Sequence, residues 1–324
     1  MFLNRKYLPV FVTFGLLAVM FAIGSFRYTG FFSTQVLLNL LIDNAFLIIT
    51  AIGMTFVIVS GGIDLSVGSV IALTTIISAS LVEKQGWSPA IVIPMVLVMG
   101  ALFGTVMGAI IHYFKIQPFI VTLAGMFLAR GLCYVISLDT ITITNPFYTQ
   151  VAQAKISLPG GSFVSINVII ALVIVLLAIY LAHYTRFGRN VYAIGGSEQS
   201  ALLMGLPVAR TKILVYTFSG LCSALAGVVF TFYMLSGYGL HAMGLELDTI
   251  AAVVIGGTLL TGGVGYVAGT FIGVLIQGAI QTIISFEGTL SSWWTKIVIG
   301  LMLFVFILFQ RLLSGRRVSS KSLH

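Results

Sequence analysis

The feature that most constrains this chain is a succession of long, nearly uncharged stretches. A helix that crosses a bilayer needs about 20 predominantly apolar residues. Apolar runs cover residues 8–26, 35–82, 89–111, 117–138, 164–183, 213–236, 249–262, 266–286 and 293–310. The run 35–82 is too long for one helix and is interrupted at Gly61-Gly62-Ile63-Asp64, so it is read as two. The expectation is an all-α polytopic membrane protein with about ten transmembrane helices, forming a single transmembrane domain over residues 1–324.

Composition closes the alternatives. Of 324 residues, 59% are hydrophobic and 7% charged, against roughly a quarter charged in a soluble domain. A soluble interior cannot bury that much apolar surface. A soluble enzyme, a secreted disulfide scaffold and a disordered chain are excluded. Cys133 and Cys222 lie inside apolar runs and read as small packing residues. Arg5, Lys6 and Ala22-Ile23-Gly24 frame an apolar stretch with the outline of a signal peptide. That stretch is long enough to span, so it is read as a retained first helix.

The net charge of +8 would suit a nucleic-acid partner if it were clustered on a soluble face. Its distribution points elsewhere. With the N-terminus inside, the inner segments hold Arg5, Lys6, Lys115, Arg186, Arg189, Arg210, Lys212, Arg311, Arg316, Arg317 and Lys321, while the outer loops hold Arg27, Lys84 and Lys155. Cytoplasmic loops carry such an excess of Lys and Arg. Both termini and the loop 184–212 are therefore expected in the cytoplasm, the loop 139–163 outside, and no nucleic-acid partner.

Glycine recurs every fourth residue at Gly100, Gly104 and Gly108, and again at Gly265, Gly269 and Gly273. Residues four apart share a helix face, where glycine lets two backbones approach. Ordinary helix packing accounts for both stripes. They also fall at equivalent places in two halves of five crossings each, the pattern of a 5+5 inverted repeat.

Carboxylates at membrane depth are costly and tend to be functional or paired. Asp43 with Asn44 falls in the second crossing. Asp64 sits in Ser60-Gly61-Gly62-Ile63-Asp64-Leu65-Ser66-Val67-Gly68. It could accept backbone N–H groups at the start of the next helix. Alternatively, broken backbone is tolerated at depth where it lines a cavity, so the segment would border a solute route. Gly256-Gly257-Thr258-Leu259-Leu260-Thr261-Gly262-Gly263 echoes it, with glycines, a leucine and a hydroxyl residue at matching offsets. The route is thus expected to involve Asp43, Asn44, Gly61, Gly62, Asp64, Ser66, Gly256, Gly257 and Thr258. Arg130 in the fifth crossing either snorkels outward or pairs with a buried carboxylate.

Other chemistry lacks its residues. There is no Gly-Lys dipeptide, hence no Walker A loop, and no G-x-S-x-G or H-E-x-x-H. His112, His183, His241 and His324 form no metal-ligand spacing. No cofactor, metal or catalytic activity is expected. In the inner loop, Ser197 reads as an N-cap and Gly205 and Pro207 as stops, giving a helix of about two turns. Its apolar residues Ala201, Leu202 and Leu203 need a cover, either the chain's own membrane domain or a cytoplasmic motor subunit.

These segments resemble the membrane subunits of ribose-type sugar ABC importers. The likeness lies in Ser60 to Gly68, in Thr122-Leu123-Ala124-Gly125-Met126 with Arg130-Gly131, in Tyr192 to Gly196 with Glu198, and in Glu246 to Thr258. Residues 288–296, Gly-Thr-Leu-Ser-Ser-Trp-Trp-Thr-Lys, are similar to the subgroup that imports galactofuranose or arabinofuranose. The loop departs from the Glu-Ala-Ala motif of another importer class, which only Ala201 and Gly205 echo. The resemblance implies a bacterial inner-membrane permease with three partners: a second and different permease, an ATPase carrying two nucleotide sites, and a periplasmic sugar-binding protein. It implies that Tyr192 to Gly196 with Glu198 meet the ATPase, and with the apolar inner-loop helix the expected contact comprises Gly195, Gly196, Ser197, Glu198, Ala201, Leu202 and Gly205. The alternative is a stand-alone ion-coupled transporter working through Asp43 and Asp64. The spans hold no arginine cluster able to clamp phosphate or carboxylate, so the expected cargo is a small neutral sugar. Ser66, Thr258 and Thr261 are expected as its hydrogen-bond partners.

Overall fold

Lipid offers no hydrogen bonds to a peptide, so apolar runs fold as helices that satisfy their own backbone groups. The computed structural model describes residues 8–319 apart from Pro159 and Ser292. Arg5, Lys6, Lys321 and His324 lie outside the described residues. The elements in order are α1 (Leu8–Arg27), α2 (Thr34–Asp43), α3 (Ala45–Val59), α4 (Val67–Ala79, continued by a wider turn Ser80–Lys84), α5 (Pro89–Tyr113), α6 (Pro118–Ile136), β1 (Ile141–Thr142), α7 (Pro146–Gln153), β2 (Lys155–Ser157) and β3 (Phe163–Ser165). They continue with α8 (Ile166–Tyr184), α9 (Arg186–Gly196), α10 (Glu198–Leu203), α11 (Val208–Met234), β4 (Ser236–Gly237), α12 (Leu245–Ile255), α13 (Val267–Glu287) and α14 (Trp293–Ser319). Proline opens α5, α6 and α7, where its missing N–H is no loss.

Among the described residues, seven helices are long and apolar enough to cross a membrane, or eight if α2 and α3, bent by 57°, count as one span. This corrects the expectation of ten. The run 249–262 holds only the 11 residues of α12, which stops at a glycine pair. The run 293–310 supplies the shorter apolar helix Trp293–Leu308. The run 35–82 breaks twice, at Asn44 as well as after Val59, so Asp43 sits at a bend rather than inside a straight crossing. Among the described residues the fold is helical apart from two antiparallel two-stranded ladders, β1 with β4 and β2 with β3. Glu83 ties the β1–α7 segment down, accepting from Thr144 N at 2.6 Å and Asn145 N at 2.7 Å.

The core is centred on α3, α4 and α11. Every residue of α3 except Phe46 is buried. Both glycine stripes are packing faces. A Cβ at Gly100 would come within 2.6 Å of Gly220 O, and one at Gly108 within 2.9 Å of Ile213 Cα, so α5 lies directly on α11. Gly269 and Gly273 likewise face the Gly256 and Ala252 carbonyls, so α13 lies on α12. Without a hydrophobic drive between helices in lipid, this close approach is what holds such pairs together.

Candidate functional site

Helices α3 and α12 end in the same way. Gly61, at φ +87°, and Gly257, at φ +92°, adopt the left-handed conformation that glycine alone enters without penalty. Gly61 N donates to Ile58 O at 2.9 Å and Gly62 N to Val57 O at 3.0 Å. Gly257 N donates to Val254 O at 2.9 Å and Thr258 N to Val253 O at 3.2 Å. Both are Schellman stops, which satisfy otherwise orphaned helix carbonyls. The echo in sequence is therefore one device used twice, but in a register one residue away from the matching offsets. Gly61 corresponds to Gly257, not to Gly256.

The two breaks touch. Gly263 N donates to Val59 O at 2.8 Å. A Cβ on Gly262 would fall 3.0 Å from the Gly61 backbone and 3.0 Å from Gly195 O. A Cβ on Gly263 would lie 2.9 Å from Gly196, and one on Gly195 2.6 Å from Gly263 N. Backbone from α3, from the α12–α13 turn and from the end of α9 thus converges on one glycine junction. The segment lies toward the α10 end of the bundle, beside the start of α6, where Thr122 Oγ1 donates to Ile63 O at 3.3 Å.

Asp64 is fully buried beside this junction. Its Oδ1 accepts from Ser66 N at 3.0 Å and Ser66 Oγ at 2.6 Å, and its Oδ2 accepts from Ser219 Oγ of α11 at 2.7 Å. The carboxylate is thus bound through both oxygens, as a buried charge must be. It fixes the turn into α4 and fastens that turn to α11. Gly62, Ser66, Gly256, Gly257 and Thr258 are also buried, whereas Gly61 and Thr261 are exposed. Ser66 and Thr258 are shut away from solvent here.

Asn44 is buried at the α2–α3 bend and donates to Leu40 O at 2.9 Å. Asp43 beside it is exposed and accepts from Tyr233 Oη at 3.2 Å. Among the described residues Arg130 pairs with no carboxylate. Its guanidinium donates to Gly239 O at 2.6 Å and His241 O at 2.8 Å, pinning the segment between β4 and α12.

The inner loop holds more than one short helix. α9 precedes α10 in it. It packs through Gly188, Val191 and Ile194, and Phe187 stacks on Phe56 at 5.8 Å. Tyr192 Oη donates to Gly265 O at 2.7 Å. Burial, and then Tyr266, pushes that phenol up to about 12, so it stays a donor. In α10, Ser197 caps Ser200 N at 3.2 Å, and Gly205, at φ +75°, closes a third Schellman stop. Glu198 pairs with Lys212 at 2.6 Å.

The apolar face of α10 is split. Ala201 is fully buried with Ile194, Leu206 and Val208, and Gly195 is held in the glycine junction. Leu202, Leu203 and Met204 are 63%, 83% and 67% exposed.

Residues 36–307 match the family described as branched-chain amino acid transport system / permease component. The chain is 52% identical over 307 residues to the inner membrane ABC transporter permease protein YjfF of Escherichia coli K12, covering 95% of this chain and 93% of the relative. The chain belongs to this family of ABC permeases. It is a multi-pass inner-membrane permease component with no catalysis of its own. A similarity of 41% over 317 residues relates it to the fructose import permease protein FruG of Bifidobacterium longum, covering 95% and 92% of the two chains. The ribose import permease protein RbsC of Haemophilus influenzae is 39% identical over 304 residues, 93% of each chain. No solved structure matches. Membership sets aside the stand-alone ion-coupled transporter.

Proposed function

We propose that this permease forms the membrane passage of an ATP-driven importer of a small neutral sugar. It works with a second permease subunit, a cytoplasmic ATPase with two nucleotide sites and a periplasmic sugar-binding protein. The single observation that carries the coupling reading is α10. It is a capped, anchored helix that turns Leu202, Leu203 and Met204 outward from the membrane domain. An apolar patch displayed by a rigid short helix is the form a docking contact takes. Ser197, Glu198, Gly196 and Gly205 set its edge and its ends. The basic residues of loop 184–212 support placing this end in the cytoplasm.

In this reading Asp43 and Gly61 border the route. Asn44, Gly62, Asp64, Ser66, Gly256, Gly257 and Thr258 shape it from behind. The glycine stripes that pack α5 on α11 and α13 on α12 support two inverted halves moving about the glycine junction, with seven or eight spans in place of five plus five.

The cargo class is supported by the fructose and ribose permeases among the relatives, and by spans without an arginine clamp. A branched-chain amino acid, the cargo in the family description, carries a carboxylate that such a path would leave unpaired. The furanose ring form rests on the likeness at residues 288–296, of which Ser292 lies outside the described residues. Proteoliposomes provide the test. ATP-dependent sugar uptake should need the ATPase, the second permease and the binding protein together. Uptake by this chain alone, driven by an ion gradient, would overturn the reading.

A further inference from the structure

One carboxylate in the spans faces outward. Asp43, at the bend between α2 and α3, is exposed, and its recorded side-chain partner is Tyr233, itself 43% exposed near the end of α11. A carboxylate turned toward hydrocarbon is strongly unfavourable. The face that carries Asp43 must therefore be wet or covered by polar groups. It lies at the half of the bundle remote from α10, since α3 runs from this bend down to the glycine junction.

A run of ring contacts leads from Tyr233 toward the segment that bears His241. Phe46 lies 6.3 Å from the Tyr233 ring and 4.9 Å, edge to face, from Phe230. Phe230 lies 5.1 Å from His241, and His241 lies 5.8 Å from Tyr238. The His241 Nδ1 reaches Thr75 Oγ1 at 3.5 Å. The segment bearing His241 is held in place by Arg130, through the Gly239 and His241 carbonyls. Small-molecule sites have this composition: aromatic walls, a few fixed polar groups and a rigid backbone behind them.

We propose that Asp43, Tyr233 and His241, with the rings of Phe46 and Tyr238, form a contact site for a neutral sugar in the half of the passage remote from α10. The carboxylate, phenol and imidazole exchange hydrogen bonds with hydroxyl groups. The rings take the C–H face of the sugar. The Asp43 charge repels anionic solutes, which adds selectivity without tight binding. The identity of the occupant rests on the sugar reading above. The existence of a wet wall does not.

The test uses the complete reconstituted complex with Cys133→Ala and Cys222→Ala, then Asp43→Cys. The probe is the membrane-impermeant reagent methanethiosulfonate ethylsulfonate. Leu176→Cys, on an exposed apolar face of α8, is the lipid-facing control. Tyr233→Cys reports on the same wall should Asp43→Cys fail to assemble. Labelling at the wall should be at least about tenfold faster than at Leu176, because hydrocarbon excludes the reagent. A sugar that the complex transports, tried among ribose, fructose and arabinose, should slow it by about twofold or more near its dissociation constant. A wall no more reactive than Leu176 overturns the site whatever the cargo. A reactive wall that no transported sugar protects overturns the contact and leaves the sugar importer standing. If the complex carries no neutral sugar while the wall reacts, the sugar reading falls and the occupant falls with it.

Discussion

Ser219 on α11 donates a 2.7 Å hydrogen bond to the buried Oδ2 of Asp64, 155 positions away in sequence. That bond joins the turn after the α3 break to the helix on which α5 packs. Ser219→Ala leaves one oxygen of a fully buried carboxylate without its partner, at a cost of about 1–3 kcal/mol. Thermal unfolding followed with a thiol-reactive dye reads this directly, because Cys133 and Cys222 are both buried until the chain opens. The midpoint should fall in Ser219→Ala. An unchanged midpoint would mean that the bond contributes nothing.

The glycine junction makes a paired prediction. A Cβ at Gly195 meets Val59 O and Gly263 N, whereas one at Gly196 meets nothing within 4 Å. Overpacking of about 1–3 kcal/mol would shift a two-state closure by roughly 5–150-fold. Gly195→Ala should therefore depress ATP-driven uptake strongly, and Gly196→Ala should leave it intact. Equal effects of the two would remove the junction from the mechanism.

How much of this was legible follows from which interactions leave a mark in sequence. Apolar runs and helix stops do: Gly205, the double glycines and Ser197 all act where their residue types place them. Length alone misled at 249–262, because a left-handed Gly257 ends α12 inside a run that stays apolar beyond it. α9 mixes Arg186, Arg189 and Asn190 with Val191 and Ile194 and has a glycine pair at its end, so it reads as loop until its buried face has something to pack on. The partners of Arg130 are carbonyls of residues 239 and 241, and a carbonyl acceptor carries no residue signature. The meeting of Gly61, Gly195 and Gly262 is a tertiary contact between backbones, equally silent in one sequence.

The split face of α10 separates docking from folding. Leu202→Asp puts a charge on an exposed surface and should uncouple ATP hydrolysis from uptake at normal expression. Ala201→Asp buries an unpaired charge among Ile194, Leu206 and Val208 and should lower expression and the unfolding midpoint. Normal uptake in Leu202→Asp would rule out docking through this face.

Orientation has its own test. Gln199 is exposed in α10, and the charge bias sets that helix in the cytoplasm. In intact cells Gln199→Cys should resist an impermeant thiol reagent, then react once the membrane is opened. Labelling from outside would invert the topology.

The most direct measurement is competitive uptake by the purified complex in proteoliposomes loaded with ATP, comparing labelled ribose, fructose, arabinose and galactofuranose with labelled leucine. The prediction is ATP-dependent accumulation of at least one sugar and none of leucine. Accumulation of leucine, with every sugar excluded, would contradict it.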